Sequence, residues 1–319
     1  MSGAKILINK CLEIKESDKV VIVTDKDTLE VAESLMKEAK KAGATPYLYV
    51  IKDNERPLKV IPCELMDQLK DITAGMTPFR AIPIEGAFRF ELVKMMASSG
   101  ARVAHMPGIT LDIINNPELD GVDFEIIEKH ARTIFSALDG AKEIHITSKN
   151  GTDLTFDISG RDVTPEGCII PKGEIFNFPS GEVFVAPLET SANGTFVCDI
   201  SCGDAGMVGS PMTLEFAGGK LKELRGKSRA KDIIKKDIEE ATGKKDLLCE
   251  FGIGINPFFK PIGNALTDEK ILGTCHVAIG DNTGLGGVNK SSVHIDFIMN
   301  KPTIIVDGRI MMREGKLNV

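Results

Sequence analysis

The chain has 319 residues, 42% of them apolar, with 39 basic and 46 acidic side chains and a net charge of −7. That length suits about two domains with ample core, and an acidic balance without a basic arm argues against a nucleic-acid partner. No run of about 18 apolar residues exists, which argues against a membrane partner.

The opening Met-Ser-Gly-Ala-Lys lacks a secretory profile, and the expected location is cytoplasmic. Up to residue 140 the pattern alternates helix and strand, which predicts an α/β N-terminal domain with a mostly parallel sheet. Ala4 to Ile14 reads as an amphipathic helix and Lys19 to Thr24 as a buried strand. A helix follows from Asp27 to Ala42, with Asp25 as its N-cap and Gly43 closing it. Next come a strand at Tyr47–Ile51, helical stretches at Cys63–Ile72 and Ala87–Ser98, a strand at Ala101–His105 and a helix at Glu125–Leu138. No GxGxxG follows the first strand and no GxxxxGK[ST] occurs, so this half reads as scaffold or lid, not as a nucleotide site.

From 141 to 319 the character turns β-rich, with short runs at Glu143–Thr147, Asp153–Ile158, Val183–Ala186, Gly194–Ile200 and Thr213–Phe216. A charged helix at Ser228–Thr242 interrupts them. Cysteine spacing offers no CxxC, and the seven thiols read as reduced.

The informative segments lie near the C-terminus. A strand sends alternate side chains to opposite faces. In Cys249–Ile253, Glu250 and Gly252 oppose Cys249, Phe251 and Ile253. In Thr274–Gly280, His276 and Ala278 oppose Cys275, Val277 and Ile279. In Val293–Phe297, His294 and Asp296 share the face opposite Val293, Ile295 and Phe297. The turn Pro179-Ser180-Gly181 delivers Glu182 to the start of a further strand. Imidazoles and carboxylates are the ligands of zinc, manganese, cobalt or iron(II), and this set predicts a metal-binding domain. His105, His130 and His145 have no such company and read as local structure.

These segments (NFPSGEVFVAP, CEFGIGINP, ILGTCHVAIGDN and SSVHIDFIM, with ARVAHMPGIT and GTDLTF upstream) resemble metallo-aminopeptidases of the aminopeptidase T/aminopeptidase S type. The resemblance implies an α/β N-terminal domain, a β-rich metal-bearing C-terminal domain and a homodimer. It also implies two divalent ions per chain (Zn, Co or Mn), held by Glu182, Glu250, His276, His294 and Asp296. The implied activity is hydrolysis: a metal-activated water removes the N-terminal residue of a small peptide, with Glu182 or Glu250 moving the proton. One departure stands out. The family's tyrosine seven residues after its histidine is Thr283 here, and the only tyrosines are Tyr47 and Tyr49. Thr283, with Asn282 and Lys290, is then the group to assume the tyrosine's catalytic role, against ordinary turn chemistry in a Gly-rich loop. Arg161 reads as the brace of a turn.

A second class fits the same residues. His276, His294 and Asp296 make the two-His-one-carboxylate set of non-haem iron oxygenases, and ring-cleaving dihydroxypyridine dioxygenases resemble this fold. Under that alternative the cofactor is Fe(II) and the substrate a small molecule. A third reading is a metal-binding homologue without peptidase activity. Absence of HExxH and GxSxG excludes the zincin and serine-elbow hydrolases.

Overall fold

The computed structural model describes residues 3–318, so the Met1–Ser2 start of the N-terminal reading lies outside the described residues. The chain divides into two compact units, one of Met1–Phe124 with Gly167–Ser180, the other of Glu125–Glu166 with Gly181–Val319. This division falls elsewhere than at residue 140. The helix Phe124–Leu138 belongs almost wholly to the second unit, and a short later segment returns to the first.

The first unit carries a five-stranded parallel sheet in the order Tyr47–Ile51, Val20–Asp25, Ala74–Phe79, Arg102–Pro107, Ile175–Asn177. Every residue of Val20–Asp25 is buried, as an apolar run enclosed by helices demands. Helix Leu29–Lys41 buries Val31, Ala32, Leu35 and Ala39, a stripe at helical spacing, and Gly43 ends it at φ +92°. Asp25 is not its N-cap. That position falls on Thr28, and Asp25 Oδ1 instead accepts from the Asp27 and Thr28 amides at 3.0 and 3.3 Å. The other oxygen, Oδ2, takes Arg56 at 2.6 Å and Arg80 at 3.2 Å, while Arg56 also pairs with Glu85 at 2.7 Å. These ion pairs stand at the end of the strand where the sheet order reverses, the usual ligand crevice of a doubly wound sheet.

Strand Ala74–Phe79 escapes the sequence pattern because Gly75 and Pro78 argue against a central strand. Gly75 is there for close approach: a Cβ would come within 2.6 Å of Met96 Sδ on helix Gly86–Ser98.

The second unit holds two antiparallel sheets. The eight-stranded one runs Lys220–Arg225, Met212–Ala217, Asn193–Cys198, Asp153–Asp157, Glu143–Thr147, Thr303–Val306, Arg309–Arg313, Lys316–Leu317. The seven-stranded one runs Gly206–Met207, Ser201–Cys202, His294–Asn300, Thr274–Gly280, Leu248–Gly254, Glu182–Val185, Val163–Glu166. Phe156 of the first meets Phe251 of the second edge-on, with ring centroids 5.2 Å apart, and both are buried. Burying such a ring contributes about 2–3 kcal/mol. Helix Arg229–Glu240 begins at Ser228, whose hydroxyl accepts from the Lys231 amide.

An α/β unit with a parallel sheet followed by a β-rich antiparallel part is the architecture expected from the sequence. The side-chain alternation holds from Glu250 onward: Phe251 turns to Phe156, while Glu250, Gly252, His276 and Ala278 take the other face. Cys249 departs from it, because the register shifts between Leu248 and Glu250 and its thiol lies 3.7 Å from His294 Nδ1. Among the described residues, no helix is long and apolar enough to cross a membrane.

Candidate metal centre

Strand register assembles the predicted ligands. Glu182 lies opposite Gly254, Gly252 opposite His276, Ala278 opposite both Glu250 and Asp296, and Gly280 opposite His294. All five ligand candidates thus come from four neighbouring strands and one face. Glycine makes room: a Cβ on Gly252 would meet the His276 ring at 2.1 Å, so the imidazole lies directly over the neighbouring strand.

His276 Nε2 stands 3.5 Å from Glu182 Oε2 and 3.6 Å from Glu250 Oε1. His294 Nε2 stands 2.8 Å from Glu250 Oε2 and 3.4 Å from Asp296 Oδ1. Three overlapping groups able to hold an ion result: Glu182–Glu250–His276, Glu250–His294–Asp296 and Glu269–His276–Asp296, each with donor atoms within 4.8 Å of one another. Glu250 offers one oxygen to each of the first two.

Two residues were not legible as members. Glu269 and Lys270 sit in an Asp-Glu-Lys run after the short helix Ala265–Asp268, a composition that reads as a solvated loop. Both are buried instead. Lys270 Nζ donates to Glu182 Oε1 and, at 2.7 Å, to Glu269 Oε1. Their only signal is position, directly before the Gly-Thr-Cys-His segment.

The patch is electrostatically incomplete. Burial pushes the Glu182 carboxyl up to about 8 against the opposing pull of Lys270. Burial also works against protonated His276, yet its contact with Glu250 and the charges of Glu182 and Glu269 raise it to about 9. His294 is likewise raised despite burial, and Glu250 is held below the usual carboxylate range by the two imidazoles although burial opposes this. Glu182 Oε2 and His276 Nδ1 are buried without a hydrogen-bond partner. Imidazoles that must carry protons to face carboxylates, beside a buried orphan oxygen, are the donor chemistry of a cation site.

Supporting groups fix the ligands. The Asp281 carbonyl accepts from His294 Nδ1 at 2.8 Å, which leaves Nε2 toward the carboxylates. Burial raises the Cys249 thiol, 3.7 Å from the same Nδ1, to about 11, so it stays neutral.

Thr283 does not join the patch groups. It is exposed, and its hydroxyl and amide both bond Asp281 Oδ1, at 2.7 and 3.0 Å. Asn282 is tied to Glu189 and to the Asn289 amide, while Lys290 is exposed with its carbonyl on the Lys244 amide. Arg161 braces the same loop from Glu189 and the Gly286 carbonyl at 2.9 Å. The other histidines are local: His105 pairs with Thr77, His130 with the Ile255 carbonyl and His145 with Asp153.

Comparison with known proteins adds a family dimension. A family model described as NicX, 2,5-dihydroxypyridine 5,6-dioxygenase, matches residues 122–319. The 2,5-dihydroxypyridine 5,6-dioxygenase of Pseudomonas putida is 25% identical over 192 residues, 55% of this chain. That match spans 54%, about half, of the relative's own length. The solved structure of the Pseudomonas putida KT2440 dioxygenase superposes with a TM-score of 0.76 at 15% identity, covering 99% of this chain and 95% of that one. Wild-type AmpT from Thermus thermophilus superposes at 0.69 with 16% identity, covering 99% and 98%. Identities this low show a shared fold.

Proposed function

From the membership of this chain in the 2,5-dihydroxypyridine 5,6-dioxygenase family, we propose that it is a metal-dependent oxygenase that opens a hydroxylated nitrogen-containing aromatic ring. The likeness to aminopeptidases holds for the fold, and the chain is an enzyme of the AmpT-like fold. The family expected from the motifs is corrected by the match over residues 122–319.

The observation that carries the reading is the family match over the whole span containing His276, His294 and Asp296. These three residues would hold one iron(II), the two-His-one-carboxylate set that leaves coordination positions open; Asp296 shares one ion-holding group with His294 and another with His276. Bound there, iron supplies the redox chemistry that lets dioxygen react with an electron-rich ring. The chain's own groups do the rest. The Asp281 carbonyl keeps His294 oriented. Glu182 Oε2, buried with no hydrogen-bond partner, is the acceptor for a substrate hydroxyl. Glu250 stands between the two imidazoles, 3.6 Å from His276 Nε2 and 2.8 Å from His294 Nε2. A small aromatic substrate and a homodimer belong to this reading.

A second reading has one specific observation behind it. Glu250 offers separate oxygens to His276 and His294, the disposition of a carboxylate bridging two ions in a hydrolase. The commitment of the Thr283 hydroxyl to Asp281 leaves that reading without a replacement for the peptidase tyrosine.

The test is oxygen uptake by the iron(II)-loaded protein with 2,5-dihydroxypyridine and related hydroxypyridines, beside an aminopeptide panel with the zinc-, cobalt- and manganese-loaded protein. Oxygen consumption with loss of ring absorbance, abolished in His276→Ala and Asp296→Ala, is the expected result. Release of N-terminal residues without oxygen uptake would replace the oxygenase by the hydrolase.

A further inference from the structure

We infer that Asn282 is a positioning residue for His294, acting through the Asp281 peptide and held in turn by Glu189 and Arg161. Its effect on an ion rests on reading the acidic patch as a metal centre.

His294 Nδ1 donates to the Asp281 carbonyl at 2.8 Å, so the aim of Nε2 depends on where that carbonyl sits. The peptides on either side of it are pinned. Ahead of it, the Gly280 carbonyl accepts from Asn289 Nδ2, and the Asp281 amide donates to the Val293 carbonyl at 2.8 Å. Behind it, the Asn282 amide donates to the Asn289 carbonyl at 3.0 Å, and Asn282 Oδ1 accepts from the Asn289 amide at 2.7 Å. The Asn282 carbonyl takes the Leu285 and Gly287 amides, both at 2.9 Å. Asn282 is fully buried, a place where an amide side chain is stable only with its bonds made.

The Asn282 side chain also ties the loop to the rest of its unit. Its Nδ2 donates to Glu189 Oε1 at 3.2 Å, and the same oxygen accepts from the Val288 amide at 2.9 Å. Glu189 Oε2 pairs with Arg161, whose Nη1 donates to the Gly286 carbonyl at 2.9 Å. Burial works against the Glu189 charge, yet the Val288 amide, Asn282 and Arg161 hold its carboxyl below the usual carboxylate range. Gly287 leaves room for the arrangement, since a Cβ there would meet Asn282 Cγ at 2.0 Å. The Gly-rich stretch between two ligand-bearing strands is thus a fixed back wall for one imidazole.

The test follows the His294 ring proton in the full-length, metal-free protein carrying isotope-labelled histidine. Exchange of Nδ1–H with water is read by NMR beside that of His130, whose Nδ1 meets the Ile255 carbonyl at 3.1 Å in the same unit. Asn282→Asp keeps the acceptor for Asn289 and loses the donor to Glu189; Glu189→Gln removes the charge that holds Arg161. Each should quicken exchange at His294 by about tenfold, as loss of one hydrogen bond implies, and leave His130 unchanged. Unaltered exchange at His294 in a folded variant overturns the inference. An equal rise at both histidines also overturns it, because it would mean general loosening. If Asn282→Asp does not fold, Glu189→Gln decides alone. Cobalt(II) affinity, measured by calorimetry, is scored separately and should fall about tenfold in the variants. Faster exchange at His294 with no cobalt bound by the wild type would end the metal-centre reading and leave the positioning role standing. Cobalt bound by a wild type whose variants show unaltered exchange would do the reverse.

Discussion

The His276 imidazole lies across Gly252, and a methyl there would be 2.1 Å from the ring. Gly252→Ala should therefore displace His276, costing about 1–3 kcal/mol of stability and reducing metal retention, checked by denaturant titration and metal analysis of the same preparation. Full metal occupancy in that variant would mean the ring is not held where the site needs it. Protonation gives a second test. Without an ion, His276 is held up to about 9, so below that pH a binding cation must displace its proton. Apparent metal affinity should fall as pH drops from 8 to 6.5, roughly tenfold per unit for each proton displaced. Calorimetry in buffers of different ionisation enthalpy counts those protons, and an affinity flat across that range would contradict the assignment. At this scale the alternation of apolar and ligand-bearing positions made Glu250, His276, His294 and Asp296 legible. Glu269 and Lys270 were not, because burial of a charged loop depends on which strands it covers, and no local pattern records that.

Among elements, the ends of the parallel strands depend on charge as well as on packing. Asp25 is fully buried on Arg56 and Arg80. Burial alone would raise its carboxyl, but hydrogen bonds from Arg80 and the charge of Arg56 lower it below the usual carboxylate range. Because the folded value is depressed, this contribution is complete above the unfolded carboxylate range and is lost as pH falls through the folded value. Asp25→Asn should cost about 3 kcal/mol at neutral pH and flatten the acid limb of a stability-against-pH curve. An unchanged acid limb would show that other carboxylates set it. Long periodic elements were readable: helix Leu29–Lys41 and strands Tyr47–Ile51 and Thr274–Gly280 lie where the pattern put them, within two residues. Ala74–Phe79 was not, since its glycine and proline serve packing against Met96 and a carbonyl bonded by Thr28, both distant in sequence.

For the whole molecule, ion binding should act unevenly. At a hundredfold excess over its Kd an ion adds about 2.7 kcal/mol of stability. Hydrogen exchange should place that gain in the Leu248–Gly254 and Thr274–Gly280 strands more than in Val20–Asp25. Equal protection of both units would mean the ion is not seated on the second unit's sheet. The boundary between units was hard to read because helix Phe124–Leu138 continues the alternating pattern of the first unit while belonging to the second. A strand of three residues, Ile175–Asn177, carries no periodicity to announce its return.

That returning strand bears on how the protein is made. Synthesis runs from the N-terminus, and domains fold as they emerge. The first unit's sheet cannot gain its last strand until residue 177 has left the ribosome, by which time the Glu143–Thr147 and Asp153–Asp157 hairpin of the other unit is already out. A nascent chain halted near residue 140 would expose the open edge of strand Arg102–Pro107 to any passing strand. Ribosome-bound chains should accordingly resist proteolysis and aggregation only once translation has passed the Phe178-Pro179-Ser180 turn that leads into Glu182.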